Sequence, residues 1–166
     1  MSPADALLLQ KLLEVFDRFA QQNHADLNAN MADTRTRIGD IQLRLGRGEE
    51  AVAAYTESEK TYLTLCEASP SSIPLLIAHA KAWNRLGVAY SQTGQVMQAM
   101  DAHRHAGQLL EETSADREAL EVQLELAQSL ILADTVFIRA GTSEVMSELW
   151  AEMFRFARER RCRCFR

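Results

Sequence analysis

Trp83-Asn84-Arg85-Leu86-Gly87-Val88-Ala89-Tyr90, followed by Thr93-Gly94 and by Gln98-Ala99-Met100-Asp101-Ala102-His103, is the stretch that decides the fold. It has a counterpart upstream: Thr36-Arg37-Ile38-Gly39-Asp40-Ile41-Gln42, then Leu45-Gly46, then Glu50-Ala51-Val52-Ala53-Ala54-Tyr55. Gly39 and Gly87, Gly46 and Gly94, Ala51 and Ala99, and Tyr55 and His103 are each 48 residues apart. Gly in a helix interior costs about 1 kcal/mol relative to Ala. A cost repeated at one register therefore points to a steric need. The sequence predicts two helices crossing backbone to backbone at Gly39 and again at Gly87, with Ala51 and Ala99 as the small residues opposite. Gly46 and Gly94 lie where a first helix must end, a position that favours positive φ. A weaker third copy sets Asp134, Phe137, Gly141, Met146 and Trp150 at the equivalent positions, with the first glycine lost.

Composition agrees with helices. Ala, Leu, Glu, Gln and Arg dominate, Pro occurs only 3 times, and β-branched residues form no alternating runs. Seven helices are expected, over about 4–22, 28–45, 48–68, 74–93, 95–112, 116–140 and 142–161. The linker Ser69-Pro70-Ser71-Ser72-Ile73-Pro74 separates the two copies. In the first helix Leu9, Leu12, Leu13, Phe16 and Phe19 form one apolar face that would cover the open side of the first repeat. The 166 residues suit a single domain: a capping helix at 1–24, repeats at 28–68 and 74–112, a degenerate repeat at 116–161 and a basic tail at 162–166.

Trp83, Leu86, Gly87, Tyr90, Gly94, Ala99 and Ala106 follow the W-x2-L-G-x2-Y…G…A…A spacing, and the chain resembles the tetratricopeptide repeat family on these residues. The first copy fits through Ile38, Gly39, Gly46, Ala51 and Tyr55, with Gln42 in place of the aromatic and Leu63 and Glu111 where the family often has Pro. The resemblance implies an all-α fold: a right-handed superhelix of antiparallel helix pairs, an α-solenoid. Leu13 to Asn23 followed by Arg37 to Gly46 is also similar to the repeat region that follows the kinase domain in some bacterial serine/threonine protein kinases. No Gly-rich loop, H-R-D or D-F-G of the kinase itself is present. That resemblance implies a non-catalytic regulatory module.

In stacked helix pairs the first helices line a concave groove. Counted from the glycines, Asp33, Thr36, Arg37, Asp40, Leu43 and Arg44 face it from the first repeat. Lys81, Asn84, Arg85, Val88, Ser91 and Gln92 face it from the second, and Gln128, Ile131, Thr135 and Arg139 from the third. The expected partner is a protein or peptide, with an acidic or carboxylate end that Arg can grip bidentately. Lys81 and Arg85 resemble half of the carboxylate clamp that some family members use. Thr36 and Asp40 stand where the other half needs Lys and Asn, so that particular ligand is not expected. The plainer alternative is a solvated charged face with local pairs, such as Arg37 with Asp33 or Asp40.

Other classes are disfavoured. The net charge is −5, and residues 155–166 alone hold six Arg and one Glu, which leaves the rest acidic and argues against nucleic-acid binding. No run of about 18 apolar residues suggests a membrane span. The N-terminal segment lacks a secretory pattern, and three cysteines are too few for a disulfide framework, so a cytoplasmic protein is expected. Asp101, His103 and His105 tempt a metal reading, but residue 103 points away from the face shared by 101 and 105. Cys162 and Cys164 are too close for a zinc pair, and Cys66 reads as a small apolar residue. The four histidines and the carboxylates form no catalytic set, so no enzyme activity and no cofactor are expected. A homodimer through Trp150, Phe154 and Phe156 is a further expectation.

Overall fold

A computed structural model describes residues 3–22 and 29–113, together with residues 124, 125, 127–129, 131, 132 and 135. Helix α1 spans Pro3–Gln22, α2 Ala29–Arg44, α3 Gly48–Ala68, α4 Ile73–Gln92 and α5 Val96–Thr113. The described residues from 124 to 135 are helical and belong to a sixth helical segment, and no strand occurs among the described residues. The five helices match the sequence expectation to within one residue at each end. The expected count of seven narrows to these five and the sixth segment. The helix expected at 142–161, the third-copy residues Asp134, Phe137, Gly141, Met146 and Trp150, and Arg139, Phe154 and Phe156 lie outside the described residues. No described helix is long and apolar enough to cross a membrane.

Two repeated glycines set the helix ends. Gly46 and Gly94 have φ of 76° and 78°, where a side chain would strain the backbone. Each closes the same pair of capping bonds. Arg47 N–H donates to the Gln42 carbonyl at 2.9 Å and Gly46 N–H to that of Leu43 at 3.0 Å. Gln95 N–H donates to Tyr90 at 2.8 Å and Gly94 N–H to Ser91 at 3.4 Å. These are Schellman closures, which satisfy carbonyls the helix leaves open. At the start of α4, Pro74 sits in the first turn, where its missing N–H is not needed.

The helices pack antiparallel in sequence order. Between α2 and α3, Tyr62 bonds Asp33, Ser58 bonds Ala32 and Tyr55 bonds Asp40, so one helix runs up as the other runs down. Between α3 and α4, Ala51 and Tyr55 cluster with Leu86 and Ala89, while Glu59 meets His79. Ile77, Ala80, Ala106 and Leu110 close α4 onto α5, and half-buried Trp83 reaches both this cluster and the one between α3 and α4. Leu9, Leu13 and Phe16 of α1 cover Met31, Ile38 and Ile41 of α2 as expected. Leu12 and Phe19, expected on that same face, are exposed instead. One neighbouring helix covers a narrower arc than the apolar residues of α1 occupy.

The glycines inside α2 and α4 have a cause different from the one expected. A Cβ on Gly39 would lie 2.6 Å from Cε1 of Tyr55, and one on Gly87 would lie 2.6 Å from Cε1 of His103. What occupies each notch is an aromatic ring from the following helix, at the same register in both pairs, and not a bare backbone. Ala51, expected opposite Gly39, lies instead in the cluster with Leu86 and Ala89 of α4. Both rings are almost fully buried, and the Tyr55 hydroxyl is anchored by a hydrogen bond. Neither ring can swing aside without losing packing. Gly39→Ala and Gly87→Ala are therefore expected to destabilise the protein by about 1–3 kcal/mol, the range for overpacking a filled core. In an open helix the same change would stabilise by about 1 kcal/mol. Urea denaturation of each variant gives the sign.

Candidate functional site

Polar side chains from three helices and the sixth segment converge on one cleft of about 390 Å³. Asp40 and Leu43 come from α2, Tyr55 from α3, Lys81, Asn84, Arg85 and Val88 from α4, and Glu125, Gln128 and Leu132 from the sixth segment. Each wall traces back to a glycine notch. Because Gly39 has no side chain, the Tyr55 ring lies across α2, and its hydroxyl donates to Asp40 Oδ1 at 2.7 Å. The same Asp40 oxygen accepts from the Arg85 guanidinium of α4. Burial, reinforced by the Asp40 carboxylate, pushes the Tyr55 hydroxyl pKa well above its ordinary value, so it stays a proton donor.

The second wall is built on Gly87. The His103 ring fills that notch, and His103 Nδ1 lies 3.1 Å from Asn84 Oδ1. An amide oxygen can only accept, so Nδ1 carries the proton. The Asn84 amide in turn donates to Ser129 Oγ at 2.8 Å and to Glu125 Oε1 at 3.4 Å. Glu125 Oε2 is 3.8 Å from the Lys81 ammonium. His103 Nε2 is buried, and among the described residues none hydrogen-bonds it. Burial lowers the His103 pKa to about 4, so the ring is neutral near pH 7.

The described groove positions read from the sequence divide into four groups, apart from half-buried Ser91, which does not line the cleft. Asp40, Leu43, Lys81, Arg85, Val88 and Gln128 meet at the cleft. Arg37, Arg44, Gln92, Ile131 and Thr135 are exposed but do not line it. Asn84 touches the cleft from beneath and is only 4% exposed, because its amide ties α4 to α5 and to the sixth segment. Asp33 and Thr36 face α3 instead, accepting from Tyr62 and bonding Ser58. Tyr55, Glu125 and Leu132 were missed. Tyr55 carried the signal, since its register is the one that reaches Gly39.

The cleft is polar without being cationic. Arg85 pairs with Asp40 and Lys81 with Glu125, both long-range partners and neither the local pair expected of Arg37. The metal candidates diverge: Asp101 bonds Arg104 on the outside, His103 points inward, and His105 stacks on Trp83 with ring centroids 4.9 Å apart. Cys66 is buried, and burial raises its thiol pKa. No protein-family model matches the chain, and no curated protein matches it either.

The His103 environment carries a pH signature. Its pKa falls from the ordinary 6.5 to about 4 on folding, so between those values the unfolded chain binds more protons than the folded one. Stability is then highest above the unfolded value and is lost as pH drops through the window. The His103 share of that loss is about 2–3 kcal/mol by pH 4.5. Urea midpoints for wild type and His103→Phe at pH 7 and pH 4.5 check it. The variant, which cannot take the proton, is expected to lose less stability over that interval.

Proposed function

We propose that the chain is a tetratricopeptide-type helix-pair repeat protein that holds a partner protein or peptide in this cleft and does not transform it. One observation carries the reading. Lys81 and Arg85, one helical turn apart on α4, stand at the cleft beside Leu43, Val88 and Leu132, so cationic heads sit next to apolar patches. That mixture suits a short segment ending in a carboxylate or carrying acidic residues among apolar ones. The 48-residue register of the two glycine notches supports the repeat assignment.

The ion pairs within the cleft set the terms of binding. The Arg85 and Asp40 side chains are 45% and 35% exposed, and such half-solvated pairs are worth about 0–1 kcal/mol. A ligand carboxylate gripped bidentately by Arg85 makes a stronger contact than this, so it can displace Asp40. Release of Asp40 does not strand it, because the Tyr55 hydroxyl still donates to it.

Fluorescence anisotropy with a set of short peptides ending in acidic residues tests the reading. Lys81→Ala with Arg85→Ala is expected to weaken the best binder at least about tenfold, the scale of one lost charge-assisted contact. Asp40→Asn keeps an acceptor for Tyr55 while releasing Arg85, and is expected to tighten binding. Peptides that bind the wild type and the double variant equally would defeat the assignment of the cleft.

A further inference from the structure

The two ion pairs of the cleft are not equivalent. Asp40 is half-solvated and keeps the Tyr55 hydroxyl at 2.7 Å when Arg85 turns to a ligand. Glu125 has no such reserve. Its side chain is only 9% exposed, yet it lines the cleft. Among the described residues its carboxylate meets the Asn84 amide at 3.4 Å and the Lys81 ammonium at 3.8 Å. Charge-assisted bonds to a carboxylate run at about 2.7–2.9 Å, so both contacts are long. Asn84 is already engaged, donating to Ser129 Oγ at 2.8 Å and accepting from His103. Glu125 is therefore a buried carboxylate short of donors at the edge of a cleft.

That shortage limits what the cleft can take. A ligand carboxylate that draws on both Lys81 and Arg85 pulls Lys81 away from Glu125. A buried carboxylate that loses its cation is left as an uncompensated charge, which is strongly destabilising. A wholly acidic segment therefore gains at Arg85 and loses at Glu125. A segment that also brings an ammonium or guanidinium group avoids the loss, because its own cation takes the place Lys81 leaves. Leu43, Val88 and Leu132 at the cleft suit the stem of such a side chain, which buries its methylenes while the charged head reaches a partner. Spacing sets the register. Lys81 and Arg85 are separated by about 6 Å along α4. An extended peptide covers that distance in about two residues, and residues two apart point to the same side.

We propose that the segment held in the cleft carries a basic side chain about two residues before its acidic end, and that Glu125 receives that cation. The proposal rests on the cleft being the binding site and adds the residue that sets its specificity. Lys81 and Arg85 then share the ligand carboxylate, Glu125 holds the ligand cation and Asp40 keeps Tyr55, so no charge in the cleft is stranded.

Fluorescence anisotropy on the full chain with two labelled hexapeptides of identical composition tests this. Both end in an acidic residue. One carries Lys two positions before the end, and the other carries it at the first position, so net charge is the same. Wild type is expected to bind the first at least about tenfold tighter, the scale of one desolvated charge pair. Glu125→Gln keeps the size of the side chain and an acceptor for Asn84. It is expected to reduce the preference to within about twofold, which a purely structural role of Glu125 would not do. Equal binding of the two peptides by wild type overturns the proposal, a comparison that needs no variant to fold. If both peptides are still weakened by Lys81→Ala with Arg85→Ala, the cleft reading stands without it. A preference that survives Glu125→Gln overturns the assignment to Glu125. Peptides indifferent to Lys81→Ala with Arg85→Ala remove the cleft reading, and this proposal with it.

Discussion

An aromatic ring seated in a glycine notch is the contact on which the rest of this structure depends. It occurs twice, Tyr55 against Gly39 and His103 against Gly87. Each glycine weakens its own helix by about 1 kcal/mol. Burying an aromatic side chain returns about 1.5–3 kcal/mol, so the exchange favours the fold. The geometric consequence matters more. A ring lying directly on the neighbouring backbone brings its polar atoms to side chains of that helix within one turn of the glycine. Tyr55 thereby reaches Asp40, and His103 reaches Asn84. Asp40 then holds Arg85, and Asn84 holds Ser129 and Glu125. Two missing side chains, at Gly39 on α2 and at Gly87 on α4, thus set how the polar groups of the cleft are held.

The two notches share a shape and differ in chemistry. In the first pair the ring ends in a hydroxyl that meets a half-exposed carboxylate, and the seam beside it is polar, with Ser58 donating to the Ala32 carbonyl at 2.9 Å. In the second the ring is a neutral imidazole among buried groups, and the neighbouring contacts at Ala80, Ala106 and Leu110 are apolar. A proton is disfavoured in the second notch because burial penalises the charged ring, and among the described residues none hydrogen-bonds His103 Nε2.

Much of the fold was legible because punctuation residues are local. Gly46 and Gly94 need positive φ, and Pro74 fits only a first turn, so helix ends could be placed from sequence. The register of the repeat was equally plain. What fills a notch was not, since a glycine recurring at a fixed interval is compatible with a backbone or a ring across from it. The cleft was half legible. Positions on one helix face follow from spacing, and Asp40, Lys81, Arg85 and Val88, read that way, all line the cleft. Pairings 41 to 45 residues apart do not follow from spacing, and these hold Arg85 to Asp40 and bury Asn84. Exposure of Leu12 and Phe19 escaped for a related reason: periodicity shows how wide an apolar arc is, not how much of it one neighbour covers.

The most direct measurement of the notch is a double-mutant cycle between Gly39→Ala and Tyr55→Ala, read by urea denaturation. If the ring is what excludes a Cβ at residue 39, removing the ring makes room for it. Gly39→Ala should then destabilise the wild type but be neutral or stabilising in the Tyr55→Ala background, a coupling of about 2 kcal/mol. Equal effects of Gly39→Ala in both backgrounds would contradict the ring as the cause of the glycine, and with it the origin of the cleft in two missing side chains.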